Sequence, residues 1–160
     1  MAISTKRISP CLWFDNRIEE AVNFYVALFG GKILDTSYYG EGAPQPKGAV
    51  MTMTFTLHDE EFIALNGGPH FKFTEAVSFM VKCRDQAEVD KYWNALTANG
   101  GQESQCGWLK DKYGLSWQIT PAALLAYITD KDPEKAKRTM HAMMTMKKID
   151  IAALEKARAG

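Results

Sequence analysis

At 160 residues the chain has the length of one domain and is long enough to bury a hydrophobic core. Its 19 basic residues balance its 19 acidic residues, so the chain lacks the excess of positive charge that nucleic-acid binding requires. Apolar residues make up 46% of the chain, yet no stretch approaches the roughly 20 consecutive apolar residues of a membrane-spanning helix.

The amino terminus and the cysteines favour a cytoplasmic protein. The opening residues, MAISTKRISP, carry charges but lack the apolar centre of a signal peptide. The three cysteines are odd in number and show no CxxC spacing, so we expect reduced thiols and neither a disulfide scaffold nor a zinc site. We therefore predict a cytoplasmic protein that binds neither nucleic acid nor a membrane.

The first predicted elements are a strand and an amphipathic helix. An apolar run at residues 7–14 has the length of a strand. Between Arg17 and Phe29, apolar side chains recur at intervals of three and four, which is the spacing of a helix with one buried face. Asp15 or Asn16 is the expected N-cap, because either side chain can accept hydrogen bonds from the first free amides.

Three further strands are predicted before the midpoint of the chain. They are expected at residues 32–39, 49–57 and 61–66. Asp59-Glu60 is the expected hairpin turn between the second and third of them, and the loop GEGAPQPKG precedes the second. Residues 67–73 then lead to the second half of the sequence.

The second half repeats the pattern of the first. Asp15 and the Gly-Gly pair at 30–31 recur seventy positions later as Asp85 and the pair at 100–101, with fourteen residues between them in both copies. In each copy an apolar run ends at the aspartate, a helical pattern follows, and Gly-Gly closes it because glycine adopts the left-handed conformation at little cost. The repeat predicts two copies of one module.

The second module has the same predicted order of elements. A strand is expected at 75–83, followed by a helix that Asp85 caps and by short strands near 102–108 and 115–120, with a solvated hairpin at 110–114 between the last two. Both modules are therefore predicted to be βαβββ units, giving an α+β fold with two mostly antiparallel halves. We expect one domain over 1–160, with module one at 5–70, module two at 71–120 and a tail at 121–160.

The tail is predicted to be helical. Pro121, Asp132 followed by proline, and Asp150 are three helix-start signals. Methionines at helical spacing in the middle of the tail suit either an ordinary packing face or a partner-binding surface.

Four stretches of the sequence resemble a known family. They are FDN..EEA..FY...F from Phe14, ALNGGP.F.F from Ala64, CGWLKDKYGLSWQITP from Cys106, and D.DPEKA.R.M.AM..M.KIDIAALE from Asp130. Together they resemble the vicinal oxygen chelate (glyoxalase/bleomycin-resistance/dioxygenase) superfamily, and more narrowly its PhnB-like branch, labelled a 3-demethylubiquinone-9 3-methyltransferase domain.

The resemblance implies two paired βαβββ modules whose strands form a cup-shaped mixed sheet. Relatives that use a metal hold one divalent ion in the cup, with His, Glu or Gln ligands from the first, fourth, fifth and eighth strands. Relatives are commonly homodimers. We therefore expect a homodimer whose site would lie in the cup.

The resemblance also allows the metal ligands to be sought position by position. The first position falls at Ser9 or Pro10, the fourth-strand position near 64–66, the fifth-strand position at Val77 or Ser78, and the eighth-strand position at Gln118. Serine, valine and proline are poor ligands or none, and one amide oxygen does not hold a transition metal. We therefore predict no metal centre and no cofactor.

Other catalytic arrangements receive little support from the sequence. His58 and His141 are placed on a turn and in the tail, whereas His70 lies on the segment between the modules, where a neutral imidazole could act as a base. Cys11 and Cys106 have no neighbouring histidine, so a cysteine nucleophile is not indicated. No Gly-rich turn joins a strand to a helix, which argues against binding of an adenosyl methyl donor.

Alternation along the strands predicts which residues line the cup. Strongly apolar faces should pack beneath the helices and leave the mixed faces inside, where aromatic rings and a few polar groups suit a small organic ligand. The expected ligand-binding residues are Ser9, Cys11, Trp13, Asn66, His70, Phe71, Ser78, Met80, Trp108 and Gln118.

The sequence thus favours a small-molecule binding protein of this superfamily without the family metal. The first alternative is a metal-dependent lyase, isomerase or dioxygenase that assembles its ion from Gln118, His70 and further groups. A methyltransferase, as the family label suggests, is the weaker alternative. Whether the protein is an enzyme is left open by the sequence.

Overall fold

The computed structural model describes residues 6–160, so the start of the predicted first module at residue 5 lies outside it. The chain divides into two compact units, of which the first ends at Lys72 and the second spans Phe73–Gly160. No helix in the described part of the chain is long and apolar enough to cross a membrane.

The first unit is a four-stranded mixed sheet with one helix. Its strands run in the order β1-β4-β3-β2, with β1 parallel to β4 and the other neighbours antiparallel. The elements are β1 (Cys11–Phe14), α1 (Ile18–Phe29), β2 (Gly31–Tyr38), β3 (Val50–Leu57) and β4 (Glu60–Asn66).

The core of the first unit lies between one face of this sheet and α1. Phe55 of β3 and Tyr25 of α1 are fully buried, and Leu12 and Phe14 of β1 are also buried. Because side chains alternate across a strand, Cys11 and Trp13 point to the opposite, open face. The predicted division of β1 into an apolar and a mixed face is confirmed over these four residues.

The second unit begins with the same module. Its strands run in the order β5-β8-β7-β6, with β5 parallel to β8, as β1 is to β4. The elements are β5 (Ser78–Cys83), α2 (Gln86–Thr97), a short 3₁₀ helix (Ala98–Gly100), β6 (Gln102–Glu103), β7 (Trp108–Lys110) and β8 (Ser116–Pro121). The predicted α+β class and the repeated βαβββ module are confirmed.

The tail is helical, as predicted, and packs within the second unit. It consists of α3 (Ala122–Ile128), α4 (Pro133–Met144) and α5 (Ile151–Ala159). Leu124, Ile149 and Leu154 form its buried cluster, against which Met143 and Met146 pack. These two methionines fit the packing interpretation, whereas Met140 and Met144 are exposed.

The predicted start of the first strand is wrong by four residues. Ile8 is 92% exposed and β1 begins at Cys11. Parallel pairing with β4 begins at Cys11, and before it the Pro10 carbonyl and the Ser9 hydroxyl are hydrogen-bonded to β4.

The predicted N-cap of α1 is also wrong. Arg17 occupies the cap position and no side chain there accepts a hydrogen bond. Asn16 has a left-handed backbone with φ of 60°, and its own side chain donates to Asp15 instead. In the second module Asp85 does cap α2, by accepting from the backbone N–H of Glu88 at 2.9 Å.

The helix ends and the first hairpin differ slightly from expectation. Gly30 ends α1 with φ of 77°, as predicted, but α2 ends at Thr97 and reaches Gly100 only through a 3₁₀ turn. The β3–β4 turn lies at His58 and Asp59, one residue earlier than predicted, because Glu60 already belongs to β4.

Candidate functional site

The open face of the first sheet combines polar and apolar side chains. In the antiparallel register, Thr54 lies opposite Ile63 and Thr52 lies opposite Leu65. All four side chains are half-buried, and alternation places them on the same face as Cys11 and Trp13. A surface of hydroxyls beside aliphatic groups is suited to a small organic molecule.

A hydrogen-bonded pair lies at one end of this face. Ser9 Oγ donates to Glu61 Oε1 at 2.6 Å. The parallel register pairs Cys11 with Ile63, and the Ile63 N–H donates to the Pro10 carbonyl. Ser9 and Glu61 each lie two residues before these partners, so their side chains are adjacent on the same face. The Glu61 residue is only 8% exposed, which is uncommon for a carboxylate and makes it a candidate site residue.

Aromatic side chains lie at the other end of the face. Trp13 Nε1 donates to the Gly68 carbonyl at 2.8 Å, which fixes the indole against the segment that leaves β4. Phe71 meets the Trp13 ring edge-on, with 4.9 Å between the ring centroids, and is itself largely exposed. His70, on the same segment, is exposed. Trp13 and Phe71, which were both predicted to contact a ligand, are therefore neighbours.

Asn66 does not lie on this face, contrary to expectation. Its side chain is buried, accepts from the Asn16 backbone N–H at 3.0 Å and donates to the Val50 carbonyl at 3.1 Å. Alternation along β4 turns Asn66 and Ala64 towards α1 and leaves Leu65 on the open face. The amide of Asn66 joins the start of α1 to the sheet and is not available to a ligand.

The second sheet carries a matching pair on its parallel strands. Gln118 Nε2 donates to Ser78 Oγ at 2.9 Å. Gln118 lies opposite Met80 on one side and Trp108 on the other, so four predicted site residues of this unit are brought together on one sheet. Met80 is exposed, whereas Gln118 and Trp108 are half-buried.

In each unit a serine at or just before the first strand lies against an acid or amide of the parallel strand: Ser9 against Glu61 of β4, and Ser78 against Gln118 of β8. The resemblance to metal-using relatives implies metal ligands on these strands. On β4 it is Glu61 that pairs with Ser9, and Glu61 lies before residues 64–66, where the fourth-strand position was expected from the sequence. Glu61 was not among the candidates named from the sequence, although it has the same alternation as Ile63 and Leu65.

Neither pair fits a transition-metal site in its own unit. The first pair offers one carboxylate and one hydroxyl and the second one amide and one hydroxyl, whereas such ions are held by at least three imidazole, thiolate or carboxylate ligands. The amide nitrogen and both serine hydroxyls are engaged within their pairs. Within residues 6–160, no group of three or more His, Cys, Asp or Glu side chains could hold a metal ion.

Asp111 is a second buried carboxylate, and the sequence had placed it in a solvated hairpin. It is 2% exposed, accepts from the backbone N–H groups of Tyr113 and Leu115 through Oδ1, and accepts from Trp117 Nε1 at 2.9 Å through Oδ2. Three donors converge on it because the β7–β8 turn folds around its side chain. Asp111 is therefore a structural residue.

Comparison with known proteins assigns the chain to a family. The model of the 3-demethylubiquinone-9 3-methyltransferase family matches residues 6–120, which includes both modules and ends where the helical tail begins. A search of curated proteins returns no match.

Solved structures agree with this assignment. The PhnB protein of Bacillus cereus is 36% identical, with a TM-score of 0.67, over 73% of this chain and 100% of that protein. Protein PA1353 of Pseudomonas aeruginosa is 21% identical over 73% of this chain and 98% of that one, with a TM-score of 0.60. The fosfomycin resistance protein FosX of Listeria monocytogenes is 12% identical over 75% and 95%, with a TM-score of 0.52, and shares the fold alone.

The B. cereus structure, the family model and the repeated βαβββ module all lead to the same assignment. The chain belongs to the 3-demethylubiquinone-9 3-methyltransferase family, the PhnB-like branch of the vicinal oxygen chelate superfamily.

Proposed function

We propose that the protein binds a small organic molecule and does so without the metal centre of its superfamily. The observation that carries the proposal is the pairing of Ser9 with Glu61 and of Ser78 with Gln118. Each pair lies on or next to the strands that bear the metal ligands in metal-using relatives, with Ser9 just before β1.

The chemistry of the two pairs supports this proposal. A ligand set for a divalent ion needs lone pairs that converge on one point and are free of competing donors. The Ser9 hydroxyl already donates to Glu61, and the Gln118 amide already donates to Ser78. An ion at either pair would have to break the hydrogen bond of that pair, and it would gain one charged ligand at the first pair and none at the second.

The open faces supply what an organic ligand needs. Trp13 and Phe71 form an edge-on aromatic pair beside hydroxyl-bearing residues of β3. Ligand sites typically combine such apolar walls with a few polar groups that orient the ligand. In the first unit, we propose that Ser9, Cys11 and Trp13 contact the ligand.

We further propose that the protein is a homodimer in the cytoplasm. The edge strand β2 exposes Ile33, Leu34 and Tyr38, and an apolar edge strand is prone to pair with another chain. All three cysteines are free thiols, which suits a reducing compartment.

A metal-dependent lyase, isomerase or dioxygenase is the second candidate, and one observation favours it. Glu61 is a buried carboxylate on β4, and a carboxylate is a good ligand for hard and borderline ions. Methyl transfer, which the family description names, has weaker support. Neither strand-to-helix connection contains a glycine, so the phosphate-binding turn of nucleotide sites is missing from both connections.

Elemental analysis of the untagged protein separates the first two functions. We expect well under one equivalent of zinc, nickel, manganese or iron per chain, and stabilisation by members of an aromatic and phosphonate compound library in a thermal-shift screen. Near-stoichiometric metal that is lost in Glu61→Leu would overturn the proposal. Glu61→Gln is the matched control, because its amide oxygen can still accept from Ser9.

A further inference from the structure

The second unit contains a small cavity beside the Ser78–Gln118 pair. Its volume is about 170 Å³. It lies at the β6–β7–β8 end of the sheet. There Gln102 of β6 is paired with Lys110 of β7, which is paired in turn with Ser116 of β8. The lining residues that matter are Glu75, Gln102, Glu103, Trp108, Lys110 and Ser116.

Ser116 gives this cavity an unsatisfied polar group. The residue is 0% exposed, and among the residues that the structure describes its Oγ has no hydrogen-bond partner. A buried hydroxyl without a partner is unfavourable by a free energy comparable to a lost hydrogen bond, so such groups are rare unless something else binds them. A ligand atom that accepts from Ser116 Oγ would remove this cost.

The charged groups around the cavity are already paired. Lys110 Nζ lies 2.5 Å from Glu75 Oε1, and this contact holds the pKa of Glu75 below its usual range. Glu103 accepts from Trp93 Nε1 at 3.0 Å and lies 3.6 Å from Lys147 Nζ. These two contacts hold the pKa of Glu103 below its usual range, with the Trp93 hydrogen bond the larger cause.

A charged ligand would therefore find no free partner of opposite sign. Entry of an anion at Lys110 would displace Glu75, and entry of a cation at Glu103 would compete with Lys147. Either exchange gives up one existing ion pair between partly exposed side chains, which contributes modestly, whereas a neutral ligand disturbs neither pair.

The remaining wall of the cavity is aromatic. Trp108 is half-buried and lines the cavity, and its backbone position on β7 is fixed by pairing with Gln118 of β8. The indole offers a flat apolar surface close to the strand that carries Ser116. Aromatic surfaces of this kind favour planar ligands, because offset stacking adds to the burial of apolar area.

We propose that this cavity binds a neutral, planar molecule whose carbonyl oxygen accepts a hydrogen bond from Ser116 Oγ while its ring packs on Trp108. The inference rests on the proposed small-molecule binding function and names the class of ligand and the place where it binds. The Glu75–Lys110 ion pair stays intact in the complex.

Benzamide, benzoate and benzamidine test the proposal, because they share one shape and differ in charge; benzamidine, which has no carbonyl oxygen, also cannot accept from Ser116. Each is titrated into the ¹⁵N-labelled full chain, and the indole N–H resonance of Trp108, assigned with Trp108→Phe, is followed. We expect benzamide to shift this resonance with saturation, and benzoate and benzamidine to bind about two- to fivefold more weakly.

Substitution of the serine then tests the hydrogen bond. Ser116→Ala removes a hydroxyl that has no partner in the fold, so the variant should fold, and we expect its affinity for benzamide to fall about three- to tenfold. Ser104→Ala, at an exposed serine on the rim of the same cavity, is the matched control and should keep the wild-type affinity.

Three results would overturn the inference. Tighter binding of benzoate or benzamidine than of benzamide would show that the cavity prefers a charged ligand. Benzamide binding that survives Ser116→Ala unchanged would place the ligand elsewhere, while the proposed function would stand. If the Trp108 indole resonance does not shift at the highest benzamide concentration, the cavity holds water only. The proposed function itself fails separately, if no compound of the thermal-shift library stabilises the protein.

Discussion

Asp111 connects the turn between β7 and β8 to the core through three donors. Its oxygens accept from two backbone N–H groups and from the indole N–H of Trp117, and all of these groups are buried or half-buried. Loss of the carboxylate would leave several donors without a partner in a region that water does not reach freely.

We predict that Asp111→Ala lowers the free energy of unfolding by about 3 kcal/mol, because each unsatisfied buried donor costs about as much as a lost hydrogen bond or more. Urea denaturation followed by tryptophan fluorescence measures the change. Asp59→Ala, at an exposed turn aspartate between β3 and β4, is the matched control and should change stability by less than about 0.5 kcal/mol. Equal losses in the two variants would contradict a structural role for Asp111.

The buried thiol of Cys83 makes stability depend on pH in the alkaline range. Burial raises its pKa from the ordinary value of about 9 to about 12, and the nearby carboxylates of Glu88 and Asp85 add to the shift. The neutral thiol is thus favoured in the folded state. Below the unfolded pKa both states are protonated and the full stability is present, whereas above it the unfolded state ionises first and stability is lost as pH rises towards the folded pKa.

We therefore predict a loss that approaches about 1.4 kcal/mol per pH unit above pH 9 for the wild type, and a smaller slope for Cys83→Val. The measurement is the free energy of unfolding from about pH 8 to about pH 11 under reducing conditions. Valine is the control for packing because it fills a similar volume without a proton to lose. Identical slopes for the two proteins would show that Cys83 does not govern the alkaline loss.

The helices of the two modules begin differently although their sequences repeat. Asp85 caps α2 with a side-chain hydrogen bond to the Glu88 N–H, whereas α1 begins at Arg17 without such a bond. The difference arises because Asn16 adopts a left-handed backbone that shifts the helix start by one or two residues relative to Asp15.

The repeat therefore provides its own control for a capping experiment. We predict that Asp85→Ala lowers the free energy of unfolding by about 1 kcal/mol, because one helix N–H loses its acceptor. Asp15→Ala, at the matching position of the first module, should change it by less than about 0.5 kcal/mol. Chemical denaturation measures both. A larger loss for Asp15→Ala than for Asp85→Ala would contradict the observed cap assignments.

The tail is held to the second module by backbone contacts at a tight turn. The N–H groups of Cys106 and Gly107 both donate at 2.7 Å, to the carbonyls of Met146 and Lys147. Gly107 has φ of 83°, and a Cβ there would lie 2.8 Å from the Ile119 carbonyl oxygen and 3.2 Å from the Ile149 side chain. Both the conformation and the space at this position favour glycine.

We predict that Gly107→Ala destabilises the protein by at least about 1 kcal/mol more than Gly114→Ala. Gly114 is the matched control because its φ is 88° but nothing lies within 4 Å of its Cβ position. Hydrogen exchange should also show faster exchange of the α4 and α5 amides in Gly107→Ala alone. Equal destabilisation without faster exchange would mean that the tail does not depend on this turn.

At the scale of the whole molecule, the proposed dimer depends on the edge strand β2. Leu34 is 45% exposed on that strand, at the register shift between Ile33 and Asp35. We predict that Leu34→Glu converts a dimer to a monomer, because a charge on an edge strand disfavours pairing with a second chain. Light scattering after size-exclusion chromatography measures the mass. Lys32→Gln, at a neighbouring exposed position, should leave the dimer intact, and a monomeric wild type would contradict the proposal.

Patterns confined to short stretches of sequence predicted most of the elements. Apolar spacing located both module helices, and alternation in β1 separated Leu12 from Trp13. Such patterns are informative because helix and strand periods act over a few residues. Boundaries were less accurate. The start of β1 depends on where the distant strand β4 begins to pair, and the α1 cap depends on the left-handed backbone of Asn16.

The candidate site was predicted only in part, for the same physical reason. Trp13, Ser78, Met80 and Gln118 lie on open sheet faces, but Asn66 faces α1 and Glu61 was not recognised. Alternation along one strand assigns residues to two faces without saying which residue of another strand lies opposite. That information comes from the register.

The sequence by itself determined the modules: a periodic pattern, an aspartate and a Gly-Gly pair, repeated after seventy residues, specify strand, helix and turn locally. The tertiary structure alone decided which groups meet. Ser9 and Glu61 are 52 residues apart in the chain and become partners only through the parallel pairing of β1 with β4. The unpartnered hydroxyl of Ser116 is likewise a property of packing, because whether a buried group finds a partner depends on every element around it.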